Sequence, residues 1–173
     1  VLWLDSVYGG LKPLQLGGGN QTRSLRLVNG NEEQYVVRSI DKKVTVVLPP
    51  ALRGTFAENI VQDGIAASHP YGALVIPKLA AAIDVLYTNP SIVFLPYQPA
   101  LGIYNEDIGD GVYLFEERPG GNTTGFANFG NTSKSFNTAD MIEMLAEDHI
   151  HHIDQPAVAR ARLFDVLLGD WDR

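Results

Sequence analysis

The sequence predicts an α+β fold: an antiparallel sheet with a helix, followed by the first helices of a second, helical region. Three observations carry that expectation. The first third alternates apolar and polar residues around glycine and asparagine turns. The middle and the end place apolar residues at helical spacing, and a Gly-, Asn-, Thr- and Ser-rich stretch at 118–137 separates the two parts. A chain of 173 residues is long enough to bury a core without covalent staples.

Residues 11–16 read as a strand that runs into Gly17-Gly18-Gly19, and residues 22–28 as the next, with Leu25 and Leu27 alternating with polar neighbours. Asn29-Gly30 predicts a two-residue type I′ hairpin, because both central positions of that turn need positive φ. Residues 35–40 form the return strand, and residues 44–48 extend the sheet before Pro49-Pro50 closes it. A helix then starts near Pro50, with Phe56, Ile60, Val61 and Ile65 on one stripe and Glu58, Gln62 and Asp63 away from it.

After the break at His69-Pro70-Tyr71-Gly72, residues 73–85 predict a second, more buried helix, and 91–95 and 112–116 two further strands. The 118–137 stretch carries Phe126, Phe129 and Phe136, which favour a loop pinned to the body over a free linker. Thr138 is the expected cap of a helix reaching to about Ile153. Pro156 starts the last helix, whose Ala157, Ala161, Phe164 and Leu168 share one stripe. Val158, Leu163, Val166 and Leu167 make its other faces apolar, so a buried helix ending at Gly169 is expected. The chain therefore divides into a small-lobe-like region over 1–117, a linker loop over 118–137 and the start of a helical lobe over 138–173.

Composition narrows the function classes. An apolar share of 45% excludes wholesale disorder, and a net charge of −7 argues against a general nucleic-acid binder. No apolar run approaches the roughly 18–20 residues that span a bilayer, so no transmembrane segment is expected. The absence of cysteine excludes disulfide scaffolds, zinc ribbons and thiol catalysis.

Four groups of residues have the chemistry of a site. Gly17-Gly18-Gly19-Asn20 is either a backbone cradle for phosphate or a plain strand connection. Arg38, with Lys42 and Lys43 beyond it, is either a phosphate grip held by Glu58 or part of a solvated strand face. In Asp148-His149-Ile150-His151-His152 a helix would bring Asp148, His149 and His152 to one face, as in a metal half-site. The same run near a helix end equally serves the dipole, and no metal is assigned. Finally, Leu168-Gly169-Asp170-Trp171-Asp172-Arg173 brings two carboxylates and an arginine onto an abrupt loop, as a base for phosphoryl transfer or as a capped helix end.

In order, these features resemble the protein-kinase-like superfamily from its nucleotide lobe to the start of its catalytic loop, in its atypical HipA, phosphatidylinositol 4-kinase and secretory-kinase branch. On that resemblance the fold is a kinase-like small lobe with the first helices of a truncated helical lobe. Asp172 matches the catalytic base, and Gly17, Gly18, Gly19, Asn20, Arg38 and Glu58 the phosphate-handling positions. Leu114-Phe115-Glu116-Glu117-Arg118-Pro119 is similar to the strand and hinge against which adenine lies, which adds Glu116 and Glu117 to the cofactor-binding set.

A closer resemblance rests on 17–27, Tyr35-Val36-Val37-Arg38-Ser39, Ser68-His69-Pro70-Tyr71, Glu116-Glu117-Arg118-Pro119 and Gly169-Asp170-Trp171-Asp172-Arg173. These resemble an uncharacterised bacterial envelope family in which this region lies between a calcineurin-like phosphoesterase and a BamA-like outer-membrane barrel. It implies a periplasmic or outer-membrane-associated location, with adjoining domains of a parent chain or an envelope protein as partners. The chain begins at Val1 and stops at Arg173, before the metal-binding Asn and Asp that kinases place downstream. The expectation is a scaffold or binding module in this form, inactive as a kinase. With those groups supplied, the parent would be a phosphotransferase using ATP with magnesium.

Overall fold

The structure is a computed structural model that describes residues 1–18, 22–40, 54–56 and 71–169. Five strands form one antiparallel sheet: β1 (Lys12–Gly17), β2 (Ser24–Val28), β3 (Glu33–Ser39), β4 (Ser91–Leu95) and β5 (Gly111–Gly121). Their spatial order is β1-β2-β3-β5-β4, so β5 inserts between β3 and the strand that precedes it in sequence. With α1 (Ile76–Ala82), α2 (Asn105–Ile108), α3 (Thr138–Glu147) and α4 (Gln155–Leu168), the fold is α+β.

Period-two alternation decides which side of the sheet is buried. Leu25 and Leu27 on β2, Tyr35 and Val37 on β3, Tyr113 and Phe115 on β5 and Leu95 on β4 all face one core. Leu2, Leu4, Leu11, Leu101 and Ile108 cover them from the amino-terminal segment and the β4–β5 connection. Each such side chain contributes about 1.5–3 kcal/mol by leaving water. Tyr35 stacks on Phe115 with ring centroids 5.5 Å apart, and Phe126 meets Tyr35 edge-on. Phe126 in turn touches Phe129, so two of the three loop phenylalanines pin the 122–137 segment to the body. Phe136 instead stays half-exposed under the Lys134 ammonium.

Buried Gln98 ties the covering segment to the sheet. Its side chain accepts from the Leu4 N–H at 2.8 Å and donates to the Leu2 carbonyl, while its backbone is held by Asn105. The Leu2 N–H donates to the Phe94 carbonyl on β4. At the other edge, β1 carries Pro13 and an irregularity between Pro13 and Gln15.

Several expected elements differ from those observed, each for a local reason. The β2–β3 hairpin closes through residues 29–32 rather than a two-residue turn. The Asn29 side-chain oxygen accepts from the Asn31 and Glu33 N–H groups, and Glu32 instead of Gly30 takes positive φ. β5 continues to Gly121, so 118–121 belong to a strand rather than to the expected linker. The helix expected over 73–85 is a 3₁₀ turn at Gly72–Leu74 followed by α1, because Pro77 fits only a first helical turn. Asn137, not Thr138, caps α3, its side chain accepting from the Asp140 N–H at 2.9 Å.

The helix expected to reach Ile153 stops at Glu147, because the Asp148 carboxylate takes the Ile150 and His151 N–H groups and turns the chain. α4 is capped by Asp154 and ends at Gly169 with φ 70°, as expected. Its expected burial is corrected. Phe164 packs on Ala80 and Val85, whereas Leu163 is 72% and Val166 and Leu167 are each 80% exposed. Apolar residues on every face of a helix bury it only where neighbours meet every face. The extension of the sheet over 44–48 and the stripe from Ile60 to Ile65 lie outside the described residues.

Candidate functional site

The side of the sheet opposite the core carries the polar residues of the same alternation. Gly17 pairs with Ser24, Ser24 with Arg38 and Arg38 with Leu114, so Gly17 and Arg38 lie in one row two strands apart. In the adjacent row Gln15 pairs with Arg26, Arg26 with Val36 and Val36 with Glu116. The row beyond pairs Val28 with Gln34 and Gln34 with Arg118. Gly17, Arg38 and Glu116, three of the sequence-predicted residues, are therefore brought to one face.

Gly18 has φ 120°, and any side chain there would run into the Thr22 carbonyl, so glycine is required for this close approach. The Arg38 Nε donates to Glu116 Oε1 at 2.8 Å, a diagonal pair between β3 and β5, while the Thr88 hydroxyl donates to Glu116 Oε2 at 2.6 Å. The Glu116 carboxylate is largely shielded, so this charge-assisted contact keeps it from being stranded. The carboxylate expected to hold Arg38 was Glu58, which lies outside the described residues. The observed partner comes from β5 instead.

Glu117 is on the core-side parity, opposite Tyr35, and holds the Asn89 backbone N–H at 2.8 Å. The strand register thus puts Glu117 on the other side of the sheet from Arg38 and Glu116. Glu116 and Glu117 both lie within β5, which runs unbroken past them. Gly19, Asn20, Lys42, Lys43, Glu58 and Asp172 all lie outside the described residues.

Two arginines that sequence reasoning passed over share the face with Arg38. Arg26 donates to the Gln15 side-chain oxygen at 3.3 Å, and Arg118 to that of Gln34. Burial, then the charges of Arg26 and Arg38, hold the Arg118 guanidinium below its usual pKa. The alternation of Leu25 and Leu27 already placed Arg26 opposite the core. No signal in the sequence put Arg118 beside it, because a linker was expected there.

Beyond the sheet, Asp148 Oδ1 lies 2.9 Å from His151 Nδ1, and the two backbone N–H groups it accepts keep its carboxyl below the usual range. Because α3 ends before this run, the helical face expected for Asp148, His149 and His152 does not form. Residues 151–154, with Phe136, Met141, Met144 and Leu145, line a cleft of about 300 Å³.

ATP with magnesium, as the kinase-like resemblance implies, is tested by the donors present. Among the described residues no three His, Asp or Glu side chains converge as metal ligands. The one predicted phosphate-gripping cation they include is already paired with a carboxylate. The other residues of the predicted set lie outside the described ones, and no step is derived through MgATP. No family model matches the sequence, and no curated protein or solved structure matches it either.

Proposed function

We propose that this chain is a binding module of a bacterial envelope protein, periplasmic or outer-membrane-associated and built on a kinase-like fold. It works with adjoining domains or an envelope partner. The observation that favours binding over phosphoryl transfer is the Arg38–Glu116 pair. That pair, at 2.8 Å and backed by Thr88, braces β3 against β5, whereas the kinase-like reading expects the carboxylate that holds the strand cation to come from a helix. The exposed stretch 130–140, anchored behind by Phe126 and Phe129, is the contact surface of this reading. Among the described residues no helix is long and apolar enough to cross a membrane.

A second reading, an ATP-dependent phosphotransferase, is favoured by one observation: Gly17 and Arg38 share a row of the sheet with Glu116 beside them. Calorimetric titration of the chain and of Arg38→Ala with ATP, with and without Mg²⁺, separates the two. The binding reading expects no Mg²⁺-dependent component. It also expects Arg38→Ala to lower stability by about 1 kcal/mol, the exposure of the guanidinium limiting the loss. Mg²⁺-dependent ATP affinity that Arg38→Ala weakens would overturn it in favour of the phosphotransferase.

A further inference from the structure

The polar side of the sheet presents a charge imbalance that the Arg38–Glu116 pair does not resolve. Three arginines, Arg26, Arg38 and Arg118, face outward there, and among the described residues Glu116 is the one carboxylate paired with any of them. Arg26 and Arg118 are half-buried and each hydrogen-bonds a neutral glutamine amide, not an anion. Taking a guanidinium partly out of water beside two like charges is unfavourable unless a counter-charge arrives. In a chain of net charge −7, three cations with one counter-ion on one face run against the overall composition.

We infer that Arg26 and Arg118 form the two grips of a site for a multivalent phosphate-bearing anion on the polar face of the sheet. The site stands independently of the binding-module reading. Register places Arg26 and Arg118 two strands apart and one row out of step. Strand spacing and rise put their Cα atoms about 12 Å from each other, which suits a chain of phosphates better than one. Each guanidinium offers a planar fork of N–H donors, the geometry that binds phosphate oxygens in pairs. Burial and mutual repulsion lower the Arg118 pKa, and a bound polyanion relieves both. Gln15 and Gln34 hold the two side chains along their strands in advance of the ligand.

The test titrates the full chain at low ionic strength with inorganic tripolyphosphate, with ATP in the absence of metal, and with orthophosphate. Variants are Arg26→Gln, Arg118→Gln, the double variant and, as control, Arg160→Gln, whose arginine contacts Asp84 elsewhere. Tripolyphosphate is expected to bind more tightly than orthophosphate and to weaken as salt rises. Each single Gln variant should lose roughly tenfold in affinity, the double variant should lose binding, and Arg160→Gln should match the parent. Equal affinity for ATP and tripolyphosphate would identify the phosphate chain alone as the ligand, and tighter ATP would make a nucleotide its source. Both support the site.

Without ligand, Arg118→Gln should melt at or above the parent temperature, which a purely structural arginine would not allow. If that variant fails to fold, Arg118→Lys, which keeps charge but not the fork, should bind tripolyphosphate less tightly than the parent. Failure of tripolyphosphate to bind, or binding that the double variant leaves unchanged, would overturn the proposal. Neither outcome touches the Mg²⁺-dependence that decides the binding-module reading.

Discussion

On β2 and β3, Leu25, Leu27 and Val37 are completely shielded from water, while Leu163, Val166 and Leu167 on α4 are 72–80% exposed. The side chains are similar, so the contrast lies in geometry. The sheet presents one continuous apolar side, and the amino-terminal segment and the β4–β5 connection cover it, tied down by Gln98 and the amino-terminal hydrogen bonds. α4 meets α1 along a single stripe through Phe164, and among the described residues its remaining faces have no comparable cover. Hydrophobicity alone therefore does not decide burial here; the number of sides from which neighbours arrive does.

Phe115→Ala tests the sheet half of that contrast and carries the largest expected effect. It removes a ring packed against Tyr8 and Tyr35, and should cost about 3–5 kcal/mol, read as a drop in the urea midpoint. A loss under 1 kcal/mol would mean the sheet core is no tighter than the helix pair. An intermediate effect belongs to Tyr35, whose phenol is pushed well above its usual range, first by burial and then by the Glu33 carboxylate. A raised folded value means that the stability tied to the neutral phenol is complete below pH about 10 and is lost as pH rises beyond it. Tyr35→Phe should flatten the fall of thermal midpoint above that pH; an unchanged alkaline slope would place the sensitivity elsewhere. The smallest effect is expected at Leu167→Ser, within about 0.5 kcal/mol by denaturant titration. A loss approaching that of Phe115→Ala would erase the contrast, because it would reveal α4 as covered.

Legibility in the sequence divides along a related line. β4 was read with its observed bounds, since Ile92-Val93-Phe94-Leu95 is a β-branched and aromatic run stopped by prolines at 90 and 96. β2, β3 and the middle of β5 followed from alternation and turn residues, and the α+β class followed from them. Local rules also found the Asn29 turn, though not its length, which the Asn29 side chain sets by reaching two N–H groups.

Partners across the sheet were beyond such rules. Glu58 was the natural carboxylate for Arg38 by sequence order, but the insertion of β5 beside β3 brings Glu116 instead. The same insertion sets Arg118 near Arg26, residues 92 positions apart in the chain. Gln98 gave no sign of its role, because a buried amide looks like a surface one until the groups it satisfies are in place. Where a pair is decided by strand order, a one-dimensional pattern gives the residue's side of the sheet but not its neighbour.

The Leu2–Phe94 hydrogen bond has a meaning beyond packing. Strands at the margins of an open sheet leave rows of unspent amides and carbonyls that invite a second molecule to add its own strand. Here β4 gives one of those carbonyls to the chain's own first residues, and β1 meets the solvent with Pro13, a lysine and an irregular register. The segment around Leu2 thus occupies part of the β4 edge. Pulling Leu2 away from Phe94 would free that carbonyl for a strand of a second molecule.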